Sequence, residues 1–423
     1  MKRKKLYLVL AGLLIGIPII YNLPTVRDRL DWRVAELMAR IKYAVSPPEQ
    51  IVFVPEESNL LETPTPSPRL SPTAFKTTTR VPSTEEPASS PVPTATLEPL
   101  PLKIQLDGIR HEYQTWNNCG PATLAIALSF WGWEGDQRPI AAFTKPNPRD
   151  KNVMPYELTA YVDEETDLEV IHRVGGDIEL LKQFLASGFP VIIEKGFEGP
   201  GFEGWIGHYV LTTGYDESSR QFAMQDSYYG PDQVMEYDDL MSYWRAFNFT
   251  YLVIYPPERE KEVLAILGPH VDEEHNDRYA AQMASDEIYR LTGRDQFFAW
   301  FNRGTNLVRL QDYAGAASVY DQAFAMYPSI PEKERPWRMM WYQTGPYWAY
   351  FYSGRYQDVI NLSTTTLEAM SEPVLEESYY WRGLAREALG DSKGTVKDMQ
   401  SALKEHPGFE PAMTKLEQMG VEP

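Results

Sequence analysis

The hydrophobic and polar positions divide the chain into stretches of different character. Residues 6–21 form a charge-free apolar run, and residues 25–45 carry apolar side chains at helical spacing beside several arginines. Residues 103–257 mix short β-type runs with helical patterns, whereas residues 279–423 keep a helical pattern throughout. The pattern predicts a multidomain protein in which an α+β domain precedes an all-α domain.

The N-terminus predicts a membrane anchor. The basic sequence MKRKK precedes the apolar run, which as a helix would be about 24 Å long, enough to cross a bilayer core. Basic residues tend to stay in the cytoplasm, so residues 1–24 are predicted to be a cytoplasmic tip with a signal-anchor helix, and the rest of the chain to lie outside the cell membrane. A cleaved signal peptide is the alternative. Residues 25–45 are predicted to be an amphipathic juxtamembrane helix.

Residues 46–102 are predicted to be a linker. In the stretch 63–98, 22 of 36 residues are Pro, Ser or Thr, a composition that cannot form a hydrophobic core. A disordered stalk between the membrane and the folded domains is therefore expected, and its proline content favours a semi-extended chain.

Composition narrows the chemistry that the folded part can carry. The 423 residues include 59 acidic and 40 basic side chains, and the acidic excess lies beyond residue 101. Such a charge disfavours binding to nucleic-acid phosphates. Cys119 is the only cysteine, which excludes an intramolecular disulfide and a cysteine-based zinc site. No cofactor or metal is expected, and the single thiol is either buried and inert or chemically active.

The setting of Cys119 favours a reactive thiol. Gly120 and Pro121 follow it, and apolar residues then recur at helical spacing as far as Phe130. Because proline suits the first turn of a helix, a helix is predicted to begin near Cys119. The unpaired N–H groups and the dipole at a helix N-terminus stabilise a thiolate.

His208 is the best candidate for the base that a thiol nucleophile needs. It begins the β-type run HYVLTTGY directly after the glycine-rich stretch FEGPGFEGW. The turn DESSR and a second run, QFAMQD, predict a hairpin that returns Asp226 to the histidine. Asp226 could then orient the imidazole, or else simply cap the turn that follows it. The other histidines lie too near the cysteine in sequence, in a strand, in an acidic segment or in the C-terminal repeats: His111, His172, His270, His275 and His406.

Four motifs together resemble cysteine peptidase family 39, the papain-like bacteriocin-processing group, and especially its stand-alone branch. They are YQTWNNCGPATLAIALSFWGW, DIELLKQFLASGFPVIIE, GHYVLTTGYD and QDSYYGP, within residues 103–257. The resemblance implies a papain-like fold, with Cys119 as the nucleophile, His208 as general base and acid, and Asp226 as the third member of the triad. It also implies that Gln114 donates to the oxyanion beside the Cys119 N–H, although Gln114 lies five positions before the cysteine and papain-like enzymes commonly place it six before.

The C-terminal third resembles tetratricopeptide (TPR) repeats. Gly304 and Ala323 are 19 residues apart, as are Gly383 and Ala402, and a proline follows each alanine after five residues. Residues 279–423 are therefore predicted to be a short solenoid of TPR-like helix pairs, joined to the α+β domain by an acidic joint at residues 258–278. Such repeats either bind a protein partner or brace the neighbouring domain.

The sequence thus predicts a membrane-anchored, extracytoplasmic cysteine peptidase that hydrolyses peptide bonds through an acyl-enzyme. Its expected partners are a peptide or protein substrate, a protein bound by the repeats, and the membrane itself. Two alternatives stay open: a catalytically inactive peptidase fold that binds peptides, and a surface scaffold in which the repeats are the main functional part. For the enzyme hypothesis, activity is expected to be bell-shaped in pH.

Overall fold

The computed structural model of the protein describes residues 34, 37–56, 99–198 and 204–423. The predicted anchor at residues 6–21 and the Pro/Ser/Thr-rich stretch lie outside the described residues. Residues 37–45, the described part of the predicted juxtamembrane helix, are helical. None of the helices in the described ranges is long and apolar enough to cross a membrane.

The first folded unit is an α/β domain in which helices and strands are interspersed along the chain. They are β1 Lys103–Gln105, α1 Cys119–Phe130, α2 Gln137–Thr144, α3 Pro155–Glu165, β2 Glu169–Arg173, α4 Ile178–Ala186, β3 Val191–Phe197, β4 Ile206–Asp216, β5 Gln221–Asp226, β6 Gly230–Glu236, α5 Tyr237–Arg245 and β7 Tyr251–Tyr255. Within the described residues the strands form one seven-stranded antiparallel sheet in the order β2-β7-β3-β4-β5-β6, and β1 pairs with β4.

Helices cover both faces of the central strands, which explains why β3 and β7 are buried along their whole length. On one face, Ile192 and Leu211 pack with apolar residues of α1. On the other face, Ile193 and Val210 pack with apolar residues of α4 and α5. Because α1 is apolar on almost all sides, it is buried from Gly120 to Leu128. The sheet thereby fixes both the start of α1 and the path of β4.

The second unit is helical. Its helices are α6 Glu260–Leu267, α7 Glu273–Arg290, α8 Gly293–Arg309, α9 Tyr313–Met326, α10 Met339–Tyr342, α11 Gly345–Tyr352, α12 Tyr356–Ala369, α13 Glu376–Ala388, α14 Ser392–Glu405 and α15 Glu410–Gln418. Gly304 and Gly383 lie where neighbouring helices meet, and a Cβ at Gly304 would come within 2.7 Å of the Tyr320 ring. The small residues thus permit close approach of neighbouring helices. The assignment of these helices to TPR repeats stays a prediction.

The segment predicted to be an acidic joint is itself structured. Residues 260–267 form α6, whose Val263 and Leu267 belong to the core beneath the sheet. Apolar residues spaced one helical turn apart override the polar composition of this stretch.

An aromatic cluster joins the two units. Trp205 of the α/β domain stacks on Phe247 with 5.5 Å between ring centroids, and its ring lies 5.8 Å from those of Phe298 and Tyr342. The side chain of Arg338 donates to the Trp205 carbonyl oxygen at 3.0 Å. The helical unit therefore packs directly against the entrance to β4.

Candidate active site

Cys119 is the first residue of α1, as the sequence predicts. The preceding loop places Asn117 in the left-handed region (φ 52°) before the chain enters the helix. The side chain of Gln137, the first residue of α2, holds this loop. Its Oε1 accepts from the Thr115 N–H at 2.8 Å and from Asn118 Nδ2 at 2.6 Å, while its Nε2 donates to the Tyr113 carbonyl oxygen at 2.8 Å. The Gln137 side-chain amide thus fixes the loop that precedes Cys119.

His208 and Asp226 lie on adjacent strands and are hydrogen-bonded. His208 Nε2 lies 2.9 Å from Asp226 Oδ1, and the same oxygen accepts from the backbone N–H groups of Tyr228 at 2.8 Å and Tyr229 at 3.0 Å. The imidazole also lies beside the Cys119 thiol, close enough for the two groups to shift each other's pKa. Since Nε2 faces the carboxylate, Nδ1 is the nitrogen left for the sulfur. The described structure therefore brings Cys119, His208 and Asp226 into one chain of contacts.

The electrostatics of this chain favour separated charges. Burial alone would raise the pKa of Cys119, but the hydrogen bond and charge of His208, with the Tyr209 N–H, leave that pKa below its usual value. Burial would lower the pKa of His208, and the bonds to Asp226 and Cys119 raise it overall. For Asp226, burial opposes ionisation, yet the His208 bond and the two backbone N–H groups hold its pKa at about 2. A thiolate and an imidazolium are the forms that these contacts stabilise.

Two buried lysines add positive charge near the thiol. Lys145 Nζ donates to the carbonyl oxygen of Asn117 at 2.8 Å, and Lys195 pairs in register with His208 across β3 and β4. Burial lowers the pKa of both, to about 8 for Lys195, while nearby negative groups including Cys119 oppose that change. Each ammonium therefore favours the thiolate.

A buried carboxyl group lies on the same strand pair. Burial and the neighbouring Cys119 raise the pKa of Glu194 well above its usual value, although a bond to Tyr209 opposes this. The Tyr209 hydroxyl donates to the Val153 carbonyl oxygen at 2.9 Å. Burial of Glu194 beside Cys119 therefore disfavours a second negative charge next to the thiolate.

Gln114 lies at the turn that follows Asp226. Its backbone N–H donates to the Ser227 carbonyl oxygen at 2.9 Å, and its Oε1 accepts from Ser227 Oγ at 2.9 Å. These bonds tie Gln114 to the Asp226 turn, and no described contact joins its side chain to Cys119. Its role at the oxyanion stays a prediction.

Sequence reasoning missed several residues around the thiol. Gln137, Lys145 and Glu194 are separated from one another in sequence and carry no local motif. Tyr342, from the helical unit, packs against Gly207 and accepts a bond from its backbone. Only the three-dimensional fold brings these groups together, although the unusual Glu194 within the apolar run PVIIE was a visible signal.

In the described parts of the chain, one group of side chains has the composition of a metal site. Potential ligand atoms of Asp150, Glu376 and His406 lie within 4.8 Å of one another, at the contact between the two units. His406 Nδ1 is 2.9 Å from Glu376 Oε1, and burial raises the pKa of both carboxyl groups. His406 and Glu376 thus pair with each other, and Asp150 accepts from the Asn152 N–H at 3.2 Å.

The match to a known protein family lies within the α/β domain. Residues 100–252 match the family model described as the Peptidase_C39 like family. They form a C39-like peptidase domain. The match covers about a third of the chain and ends before the helical unit, and no curated protein matches the sequence.

Solved structures similar to the chain include three peptidases. A C39-like peptidase from Bacillus anthracis is 16% identical, with a TM-score of 0.30, over 36% of this chain and 96% of that one. Xylellain, a cysteine protease from Xylella fastidiosa, is 17% identical, with a TM-score of 0.29, over 37% and 87%. A double glycine motif protease from an AMS/PCAT transporter, solved with its leader peptide, is 16% identical, with a TM-score of 0.28, over 36% and 94%. These alignments involve about a third of this chain and most of each peptidase.

Proposed function

We propose that the protein is a membrane-anchored, extracytoplasmic cysteine peptidase in which Cys119, His208 and Asp226 form the catalytic triad. The observation that carries this proposal is that the His208 ring lies beside the Cys119 thiol and is hydrogen-bonded through Nε2 to Asp226 Oδ1 at 2.9 Å. A base within reach of a thiol, oriented by a third group, is the arrangement that nucleophilic catalysis requires.

In the proposed reaction the Cys119 thiolate attacks the carbonyl carbon of a peptide bond. The negative charge that forms on the carbonyl oxygen is received by the Cys119 N–H at the start of α1, and by the Gln114 side chain if the resemblance holds. His208 gives its proton to the departing amine, which leaves an acyl-enzyme. Water, deprotonated by His208, then attacks the thioester carbon, releases the acid and restores the thiol.

The surroundings of the triad suit a peptide substrate. Tyr228 and Tyr229, in the turn after Asp226, are exposed. The rings of both lie close to that of Phe197, which also contacts His208. Tyr113 is exposed on the other side of the turn, beside Gly230. We assign these tyrosines to contacts with the substrate chain.

The decisive experiment combines labelling with hydrolysis. Because Cys119 is the only cysteine, iodoacetamide reports on this thiol alone. We expect stoichiometric labelling at pH 6, much faster than that of a model thiol, and hydrolysis of peptides that Cys119→Ala abolishes. His275→Ala, a change at a histidine in the helical unit, is the matched control and should leave both unchanged. If Cys119→Ala retains all hydrolysis, Cys119 is not the nucleophile and the proposed triad is wrong. If no hydrolysis is found and the thiol reacts no faster than a free one, the protein is a peptide-binding module rather than an enzyme.

The anchor and its orientation are part of the same proposal. They are supported by MKRKK followed by the apolar residues 6–21. We expect the full chain to sediment with membranes, and protease added outside intact cells to digest its C-terminal domains. Release of the protein by carbonate, or protection from the external protease, would contradict this part alone.

A further inference from the structure

A groove in the helical unit is occupied by a segment from the N-terminal part of the same chain. Residues 48–56, predicted to belong to the linker, lie against helices that follow them by about 240 to 310 positions. The groove has an apolar lining, which includes Phe297, Phe301, Phe324, Met339, Met340 and Leu362. Removing this apolar surface from water is favourable, and the hydrophobic effect does not depend on which chain covers the surface.

The bound segment has the features of a peptide ligand in extended conformation. Phe53 is only 8% exposed, and its ring lies 4.9 Å from that of Phe324. Pro55 is also buried, whereas Val54 between them is 71% exposed. Alternate side chains thus enter the groove, as in the recognition of an extended peptide.

Polar side chains of the helical unit hold the backbone of this segment at both ends. Arg335 Nη1 donates to the Glu49 carbonyl oxygen at 2.8 Å, and Asp358 Oδ1 accepts from the Glu56 N–H at 2.6 Å. Asp358 is buried, and its other oxygen accepts from Arg355. Because these contacts are made to main-chain atoms, they suit any extended chain with a suitable apolar side chain between them.

The bound segment and the groove are connected through residues 57–98 and the peptidase domain, so their association is intramolecular. An effective concentration in the millimolar range is typical of such a connection. A competing peptide must therefore exceed this concentration, or bind more tightly, to displace the segment.

We propose that this groove is a binding site for extended peptides in which a buried phenylalanine and a buried proline flank one exposed residue, and that residues 48–56 are its resident ligand. A protein partner would then present a segment of the same chemistry and displace residues 48–56. The proposal is independent of the peptidase activity, because the groove contains none of the triad residues.

Peptide titration to the full chain in detergent micelles tests this assignment. The probe is a fluorescent peptide with the sequence of residues 46–58, added to the wild type, to Phe53→Ala and to the control Val54→Ala. Loss of the buried ring should weaken the resident segment roughly 10- to 150-fold. The probe should therefore bind Phe53→Ala at least about tenfold more tightly than the wild type, with Val54→Ala resembling the wild type. A probe in which alanine replaces the phenylalanine should bind Phe53→Ala at least tenfold more weakly.

Cleavage of the connection gives a second readout that does not depend on the probe. A protease site inserted within residues 57–98 should, after cutting, leave the N-terminal fragment bound to the remainder in the wild type and in Val54→Ala, but not in Phe53→Ala. Separation of the wild-type fragment would overturn the proposal, as would equal binding of the probe to all three proteins or no binding to any. Concentration-dependent dimers that disappear in Phe53→Ala would show instead that the segment binds a second copy.

Discussion

The charge of Asp226 should set the alkaline limit of peptide hydrolysis by Cys119. Its Oδ1 receives His208 Nε2 at 2.9 Å, and Asp226→Asn removes the negative charge while keeping an oxygen at that place. We therefore expect Asp226→Asn to lower the pKa of the His208 imidazolium, because the carboxylate is one of the main groups that raise it.

The size of the effect follows from the pKa of Asp226 itself. That pKa is about 2 instead of the usual 3.8, which corresponds to roughly 2 kcal/mol in favour of the carboxylate. The N–H groups of Tyr228 and Tyr229 contribute to this preference and remain in the variant. Assigning about half of the preference to His208 leaves on the order of 1 kcal/mol, or about one pH unit.

The assay is kcat/KM for peptide hydrolysis between pH 4 and 10. The wild type should give a bell: the rate rises as the thiol ionises and falls as the imidazolium, which protonates the departing amine, loses its proton. In Asp226→Asn the alkaline limb should move down by about one unit, and the plateau should narrow. Asp238→Asn, a change at a carboxylate that is 90% exposed and pairs with Arg220, is the control and should follow the wild type.

Three outcomes would refute this reasoning. Alkaline limbs that superimpose for the wild type and Asp226→Asn would mean that the carboxylate does not stabilise the imidazolium. An equal shift in Asp238→Asn would trace the effect to overall charge instead of the hydrogen bond. A flat wild-type profile would remove the ion pair altogether.

Three further predictions concern residues around the site and in the helical unit. Burial raises the pKa of Glu194, so its carboxyl group ionises at a lower pH in the unfolded chain than in the folded one, and the wild type should lose stability as pH rises above about 4.5. Glu194→Gln should reduce this loss of unfolding free energy, measured in urea at pH 5 and pH 9. Gly207→Ala would place a Cβ 2.6 Å from Phe247 Cζ, so it should cost about 1–3 kcal/mol in thermal unfolding and slow alkylation of the thiol; equal melting temperatures would contradict the close packing. Asp321→Ala leaves the buried Arg355 without one of its carboxylates and should cost about 3–5 kcal/mol, whereas a loss below 1 kcal/mol would show that Arg355 finds water instead.

Local sequence signals predicted where Cys119, His208 and Asp226 lie in the fold. Pro121 and the apolar spacing after it identified the start of α1, and the hairpin pattern brought Asp226 to His208. These features depend on short stretches of chain, where turn chemistry and helix capping decide the conformation. Their catalytic roles were predicted only as far as the family resemblance allowed.

Long-range contacts were beyond such reasoning. Nothing near Gln137 or Lys145 in sequence indicates that they hold the loop before Cys119. Similarly, the proline-flanked stretch that contains Phe53 lies within the predicted linker, and only the distant groove makes its burial favourable. The polar composition of residues 258–278 likewise gave no sign of α6. Two apolar residues on one face of that helix are enough to place it in the core.

The aromatic contact between the two units has a practical consequence for protein production. The family match ends at Leu252, which lies inside β7, so a fragment expressed to that boundary would lack three of the five residues of a strand that pairs with β2 and β3. Extending the fragment to residue 257 would complete the sheet but would leave the rings of Trp205 and Phe247 open to water, inviting aggregation. The smallest soluble fragment that contains the candidate active site is therefore expected to include the helical unit. The segment that matches the family model is thus smaller than the segment that folds.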